Sequence, residues 1–288
     1  METKDNERKS ANLITRGLSI GINAYKWVKK LTDPDPIVRQ HAVAKLKLVK
    51  DPCATSAVLE MMKDTNPIVR MEVAHYLGRK CDDTAVSVLK SSVKDPNSDV
   101  RIASMYALGN YKGEDKDMVL LLLKRGLYDH DREVKESSIE AIGKLGGEKA
   151  ARIIALAIGD PEPGVREIAL YTGSKTSMKV FQQIIIDALK DQDERVKESA
   201  KDLLVEHMNK TIMLKLVRLY AHSPATDSAR KAIREVIEET NDNTGMAYVH
   251  ALDHPTDYVQ QHILASLDGK AKSLPALMNG DSKETEKT

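Results

Sequence analysis

The stretch Asp95-Pro96-Asn97-Ser98-Asp99-Val100-Arg101-Ile102-Ala103-Ser104-Met105-Tyr106-Ala107-Leu108-Gly109 decides the fold. It holds an acidic turn, a valine and a basic residue five positions on, and a closing leucine-glycine. Val100, Ser104 and Leu108 are four apart, which places them on one face of a helix. The pattern recurs as Asp33 with Val38-Arg39, Asp64 with Val69-Arg70, Asp129 with Val134-Lys135, Asp160 with Val165-Arg166 and Asp191 with Val196-Lys197. The six valines are spaced 31, 31, 34, 31 and 31 residues apart, a period that belongs to a repeat architecture.

Two weaker copies follow at Ala229-Arg230 and Val259-Gln260, so the array has about eight units, with degenerate members expected at its ends. Counting each valine as position zero, positions four and eight are apolar or small: Ala42 and Leu46, Val73 and Leu77, Ser104 and Leu108, Ser138 and Ile142, Ala200 and Leu204. Gly78, Gly109 and Gly143 fall at position nine, where we expect a residue tolerant of positive φ to end the helix. The Asp-Pro steps are expected to supply an N-cap and a first-turn proline. Further helices are expected between them, at 54–63, 84–94, 118–127 and 180–190. Each unit is then helix, turn, helix, and a lone pair buries its apolar side only by stacking on its neighbours. The expected fold is an all-α solenoid, a right-handed superhelix of about eight helix pairs. Its expected parts are capping helices over 1–32, the repeat array over 33–269, and a far-end cap and polar tail over 270–288. A charge at Val100 should cost several kcal/mol, as burying an unpaired ion does.

Composition agrees with this class: 30% charged residues, 4% aromatic, one Trp and one Phe. The formal net charge is +1, from 44 basic and 43 acidic side chains, so no overall field draws in nucleic acid or an anionic membrane. Residues 11–28 are interrupted by Arg16, Asn23 and Lys26, a poor membrane span. With only Cys53 and Cys81 and no signal-peptide pattern, a cytoplasmic location is expected.

The turn, the Val-Arg step and the trailing Leu-Gly resemble the short HEAT repeats typified by phycobilin-lyase-type proteins, over residues 33 to 269. The resemblance implies a structural ladder of turn aspartates and Val-Arg arginines, here Asp33, Arg39, Asp64, Arg70, Asp95, Arg101, Asp160 and Arg166; Lys135 and Lys197 depart from it and Gln260 breaks it. It also implies that the second helix of each pair, the B helix, lines a concave side. Its outward positions are two and six: Gln40 and Ala44, Met71 and His75, Ile102 and Tyr106, Glu136 and Glu140, Glu167 and Tyr171, Glu198 and Asp202. Met71, Ile102, Tyr106 and Tyr171 are out of place on a solvent face unless a partner covers them. From Met71 through Asp202 these residues are the expected partner-binding set, suited to a basic or amphipathic segment of another protein.

Enzyme chemistry finds little support. No His-Glu dipeptide occurs, whereas HEAT-like deoxyhypusine hydroxylase mounts its iron ligands that way. HEAT-like DNA glycosylases need a basic groove, and Glu136, Glu140, Glu167, Glu198 and Asp202 would repel phosphate. Phycobilin lyase activity is the alternative that the repeat suggests, as a lyase-like or chaperone-like helper of a cofactor-bearing protein, with no catalytic constellation to carry it. His250 and His254, with His222 and His262 nearby, have a spacing zinc could use but sit partly in a turn; no metal and no cofactor is expected. Cys53 and Cys81 fall in turns joining the first repeats and could approach each other, though buried thiols are commoner. Trp27, with Tyr25, Val28 and Leu31, is expected to close the open end of the stack; a membrane-surface anchor beside Lys26, Lys29 and Lys30 is the lesser reading. The expected function is a non-catalytic protein-binding scaffold or assembly factor.

Overall fold

The computed structural model describes residues 22–49, 52–79, 81–224, 228–240 and 243–253. Among them are fifteen α-helices, two 3-10 segments and no strand. They are α1 (Ile22–Lys30), α2 (Pro36–Leu46), α3 (Pro52–Glu60), α4 (Pro67–Gly78), α5 (Asp83–Ser92), α6 (Ser98–Leu108), α7 (Lys116–Gly126), α8 (Arg132–Leu145), α9 (Glu148–Ile154), α10 (Pro163–Thr176), α11 (Met178–Ala188), α12 (Glu194–Glu206), α13 (Lys210–His222), α14 (Ser228–Glu239) and α15 (Asn243–Asp253). The chain is an all-α solenoid that divides into two compact units at Ala157 and Ile158. In the first unit the B helices α2, α4, α6 and α8 pack in series; in the second, α10, α12 and α14 do the same.

The repeat period places the core. Val69, Val100, Val134, Val165 and Val196 are buried, as are all ten residues at positions four and eight named above. Position five, not singled out by the sequence, is buried as well: Val43, Ala74, Met105, Ile139 and Leu170. In α4, α6, α8 and α10 the buried residues therefore form adjacent stripes at positions zero, four, five and eight, wide enough to meet both the helix's own pair partner and the next B helix.

Two expectations about helix ends are corrected. The N-cap is not the first aspartate of the turn but the residue two further on: Asp35, Asn66, Asn97, Asp131 and Asp193 accept a backbone N–H of the first helical turn. Pro36, Pro67 and Pro163, not Pro34, Pro96 or Pro161, occupy the first helical turn. The first aspartate instead accepts the backbone N–H of that capping residue, as Asp64 does from Asn66 at 2.8 Å. The second correction concerns glycine. Among the described glycines only Gly146 and Gly147 have positive φ, and Gly143 lies inside α8. A Cβ on Gly78 would sit 3.0 Å from the Cα of Ala107, and one on Gly109 2.9 Å from that of Ala141. These glycines let successive B helices approach closely; they do not reverse the chain.

At the start, α1 packs on α2 and α3. Val28 and Leu31 are buried, Tyr25 is exposed, and Trp27 stacks on His41 at 5.5 Å between centroids. The Val259-Gln260 copy, His254, His262, the expected cap and tail over 270–288 and the side chain of Cys53 lie outside the described residues.

Candidate functional site

Two rows of side-chain bonds fix the register of the B helices. At their N-terminal ends, Arg39 bonds Asp64 of the next repeat at 2.7 and 2.8 Å, Arg70 bonds Asp95 at 2.7 Å twice, and Arg101 bonds Asp129 at 2.8 Å twice. The remaining guanidinium nitrogen of each returns to its own turn, as Arg70 does to the Asp64 carbonyl at 2.8 Å. Arg166 repeats the arrangement with Asp191 in the second unit. At the opposite ends, Arg79 donates to the Lys47 carbonyl at 2.6 Å and Asn110 to the Gly78 carbonyl at 3.1 Å, each reaching back one B helix. Held at both ends, α2, α4 and α6 present equivalent positions side by side.

The ladder also displaces the pKa values of its own carboxylates. Burial pushes Asp95, Asp129 and Asp191 up, yet the arginine hydrogen bonds and a backbone N–H outweigh it and leave all three below the ordinary carboxylate range. Lys197, one of the departures from the ladder, bridges Glu194 of its own helix at 2.5 Å. A later rung was not read from the sequence: Arg230 meets Asp253 at 3.1 Å, and Arg234 and the Tyr220 hydroxyl converge on the same carboxylate. Shifts of this kind in ion-pair networks mark structure rather than catalysis.

On the first unit's B-helix face, α4 carries Met71 and His75, α6 carries Ile102 and Tyr106, and α8 carries Glu136 and Glu140. Met71, Ile102 and Glu136 are half-buried, while His75, Tyr106 and Glu140 are exposed. Position two thus faces partly into the seam between helices and position six faces out. Burial raises the Tyr106 phenol, and the carboxylates of α8, Glu140 foremost, raise it further. Arg132 bridges Glu136 at 2.5 Å. Apolar residues on α4 and α6 therefore give way to carboxylates on α8.

In the second unit, α10 carries Glu167 and Tyr171 and packs on α12, which carries Glu198 and Asp202. Tyr171 is 51% exposed, and Lys175 lies over its ring at 4.0 Å and bonds its hydroxyl. Glu198 bridges Lys201 at 2.8 Å, and Lys201 reaches Glu235 of α14 at 2.5 Å. This face is more mixed in charge than a row of carboxylates implies.

Sequence reasoning missed Ile37 and Ile68, exposed at 65% and 44%. They sit at position minus one, three residues before position two and seven before position six, so they extend the same helical face by a turn. The signal was present in that spacing. A separate exposed apolar group, Met118, Leu121 and Tyr128, lies on α7 and just beyond its end. Among the described residues no cluster of His, Cys, Asp and Glu could hold a metal ion, and no helix is long and apolar enough to cross a membrane.

The family of HEAT repeats matches residues 25–109 and 93–174. No curated protein matches the sequence. Among solved structures, YibA of E. coli superposes with a TM-score of 0.52 at 17% identity, over 93% of this chain and 96% of that one. The complex of CpcE and CpcF of phycocyanin lyase from Nostoc gives 0.46 at 18% identity, over 82% of this chain and 96% of that one. The archaeal HEAT-like repeats protein from Thermococcus onnurineus gives 0.46 at 16%, over 80% and 100%.

Proposed function

The chain belongs to the HEAT-repeat family, and on that premise we propose that it is a non-catalytic scaffold or assembly factor that captures a partner protein on its B-helix face. The observation that carries the reading is the row Ile37, Ile68, Met71, Ile102 and Tyr106, exposed or half-buried on three successive B helices held in register. Isolated exposed apolar residues are ordinary on a monomer; a contiguous set on a shared face marks an interaction surface. Aromatic and methionine side chains are also those enriched at binding hot spots. The adjoining carboxylates favour a partner segment that is basic or amphipathic.

The test is capture from native lysate with wild-type protein and with the Tyr106→Ala/Tyr171→Ala variant, followed by a visible absorbance spectrum of the eluate. A discrete protein retained by wild type and lost by the variant, with melting temperature nearly unchanged, supports the reading. A large loss of stability would show the rings to be core. A chromophore retained by the purified chain would move the reading to a helper of a cofactor-bearing protein.

A further inference from the structure

In each unit, one tyrosine of a B helix carries a lysine over its ring. Lys144 of α8 lies 5.7 Å from the centroid of Tyr106, and Lys175 lies 4.0 Å from that of Tyr171. Both tyrosines stand at position six of their repeats and both lysines at position ten. In the first unit the lysine arrives from the neighbouring helix, so ring and cation are brought together by stacking and not by local sequence. Tyr106 is 36% exposed, leaving the ring reachable from solvent.

The carboxylates complete the arrangement. Glu133, Glu136 and Glu140 are three and four residues apart on α8 and share one face. Glu136 is bridged to Arg132, whereas Glu140 is exposed and stands at the same repeat position as Tyr106, where it can meet another cation. A cation over an exposed tyrosine is held only weakly, so Lys144 is displaced readily. Guanidinium is the better occupant than ammonium, because it is planar, weakly hydrated, stacks on the ring and can pair with a carboxylate through two N–H groups.

Resting on the scaffold reading above, we propose that Tyr106 with Glu140 is a seat for an arginine side chain of the partner segment, filled in the free protein by Lys144. The apolar contacts of that segment then fall on Ile102, Met71 and Ile68. Four B helices at ~8–10 Å between axes span about 25–30 Å, the reach of roughly eight extended residues.

The probe is therefore a blocked octapeptide of alternating leucine and arginine, with citrulline and lysine versions as controls, titrated into the full chain carrying ring-labelled tyrosine. The Tyr106 resonance, assigned by its loss in Tyr106→Leu, should shift and saturate with the arginine peptide. The citrulline peptide should bind at least ~5-fold more weakly, since citrulline keeps the shape and loses the charge. Lys144→Ala should tighten the arginine peptide ~3-fold or more by removing the resident cation, and Glu140→Gln should weaken it by a similar factor. Both substitutions are on exposed side chains, and thermal melts check that the fold is kept. An equal response to citrulline, or Lys144→Ala that leaves affinity unchanged or lowers it, overturns the arginine seat. Should a partner protein bind with sensitivity to Ile68 and Met71 but not to Lys144, the seat fails while the scaffold reading stands. Should the peptide behave as expected and no protein be captured, it is the scaffold reading that fails.

Discussion

Arg101→Met tests the ladder that sets the register of the binding face. Arg101 is the most enclosed arginine of the ladder, its side chain 5% exposed and that of its partner Asp129 12%. It makes two bonds of 2.8 Å to that carboxylate and reaches the Asp95 and Pro96 carbonyls at 2.9 and 3.3 Å. Methionine keeps the stem's packing and removes every one of these bonds. Breaking a buried ion pair on one side costs ~3–5 kcal/mol. Asp129 keeps the Asp131 backbone N–H at 2.9 Å and His130 at 3.3 Å, so the low end applies, about 3 kcal/mol. For a domain of this size that corresponds to ~6–12 °C in melting temperature. Adding Asp129→Asn removes the stranded charge while an amide oxygen still accepts from Asp131, so the double variant should recover to within about 1 kcal/mol of wild type. Urea unfolding followed by circular dichroism, with the four proteins treated as a double-mutant cycle, gives the coupling. A loss below about 1 kcal/mol for Arg101→Met, or two single effects that simply add, would refute the claim that this pair holds the stack.

Gly109→Ala should destabilise by ~1–3 kcal/mol through overpacking, and Gly78→Ala by less, because the intruding Cβ meets Ala141 at 2.9 Å in the first case and Ala107 at 3.0 Å in the second; equilibrium unfolding of both variants ranks them. Asp95, Asp129 and Asp191 have folded-state pKa values below the ordinary carboxylate value. Their contribution is therefore complete above the unfolded value of about 3.9 and is lost as pH falls through the lower folded values. An acid titration by circular dichroism should show unfolding only below about pH 4, with the transition moved to higher pH in Arg101→Met. Cys81 is buried, and burial pushes its thiol up to about 11. In a Cys53→Ser background it should react slowly with a disulfide reagent at pH 8 and quickly once urea is added; fast labelling of the native protein would contradict its burial.

The period of the Val-Arg step made the helix order and the buried stripes legible, because a stripe repeated every four residues has one physical solution in a stack. The helix ends were less so. A turn reading Asp-Pro-Asn-Ser offers two acceptors two residues apart, and only the backbone path shows that Asn97 caps α6 while Asp95 is held by Arg70. Gly78 and Gly109 admit two explanations, φ or close approach, and the neighbours that decide are some thirty residues away in sequence. The outward positions two and six were readable from spacing, but stopping there left out Ile37 and Ile68 one turn earlier. Lys175 over Tyr171 was in principle readable, being four residues on in one helix. Lys144 over Tyr106 was not, since it depends on how α8 lies on α6.

Exposed apolar side chains occur on two different surfaces of the first unit, so the decisive experiment places a photoreactive benzoylphenylalanine at His75 or Tyr106 on the B-helix face and, separately, at Leu121 or Tyr128 on α7, and irradiates each in native lysate. Capture by the repeats' B helices predicts a discrete protein adduct from positions 75 and 106 and none from 121 and 128. Adducts confined to 121 and 128 would mean that the partner is held by the first helices of the pairs, and the binding face described above would be the wrong one.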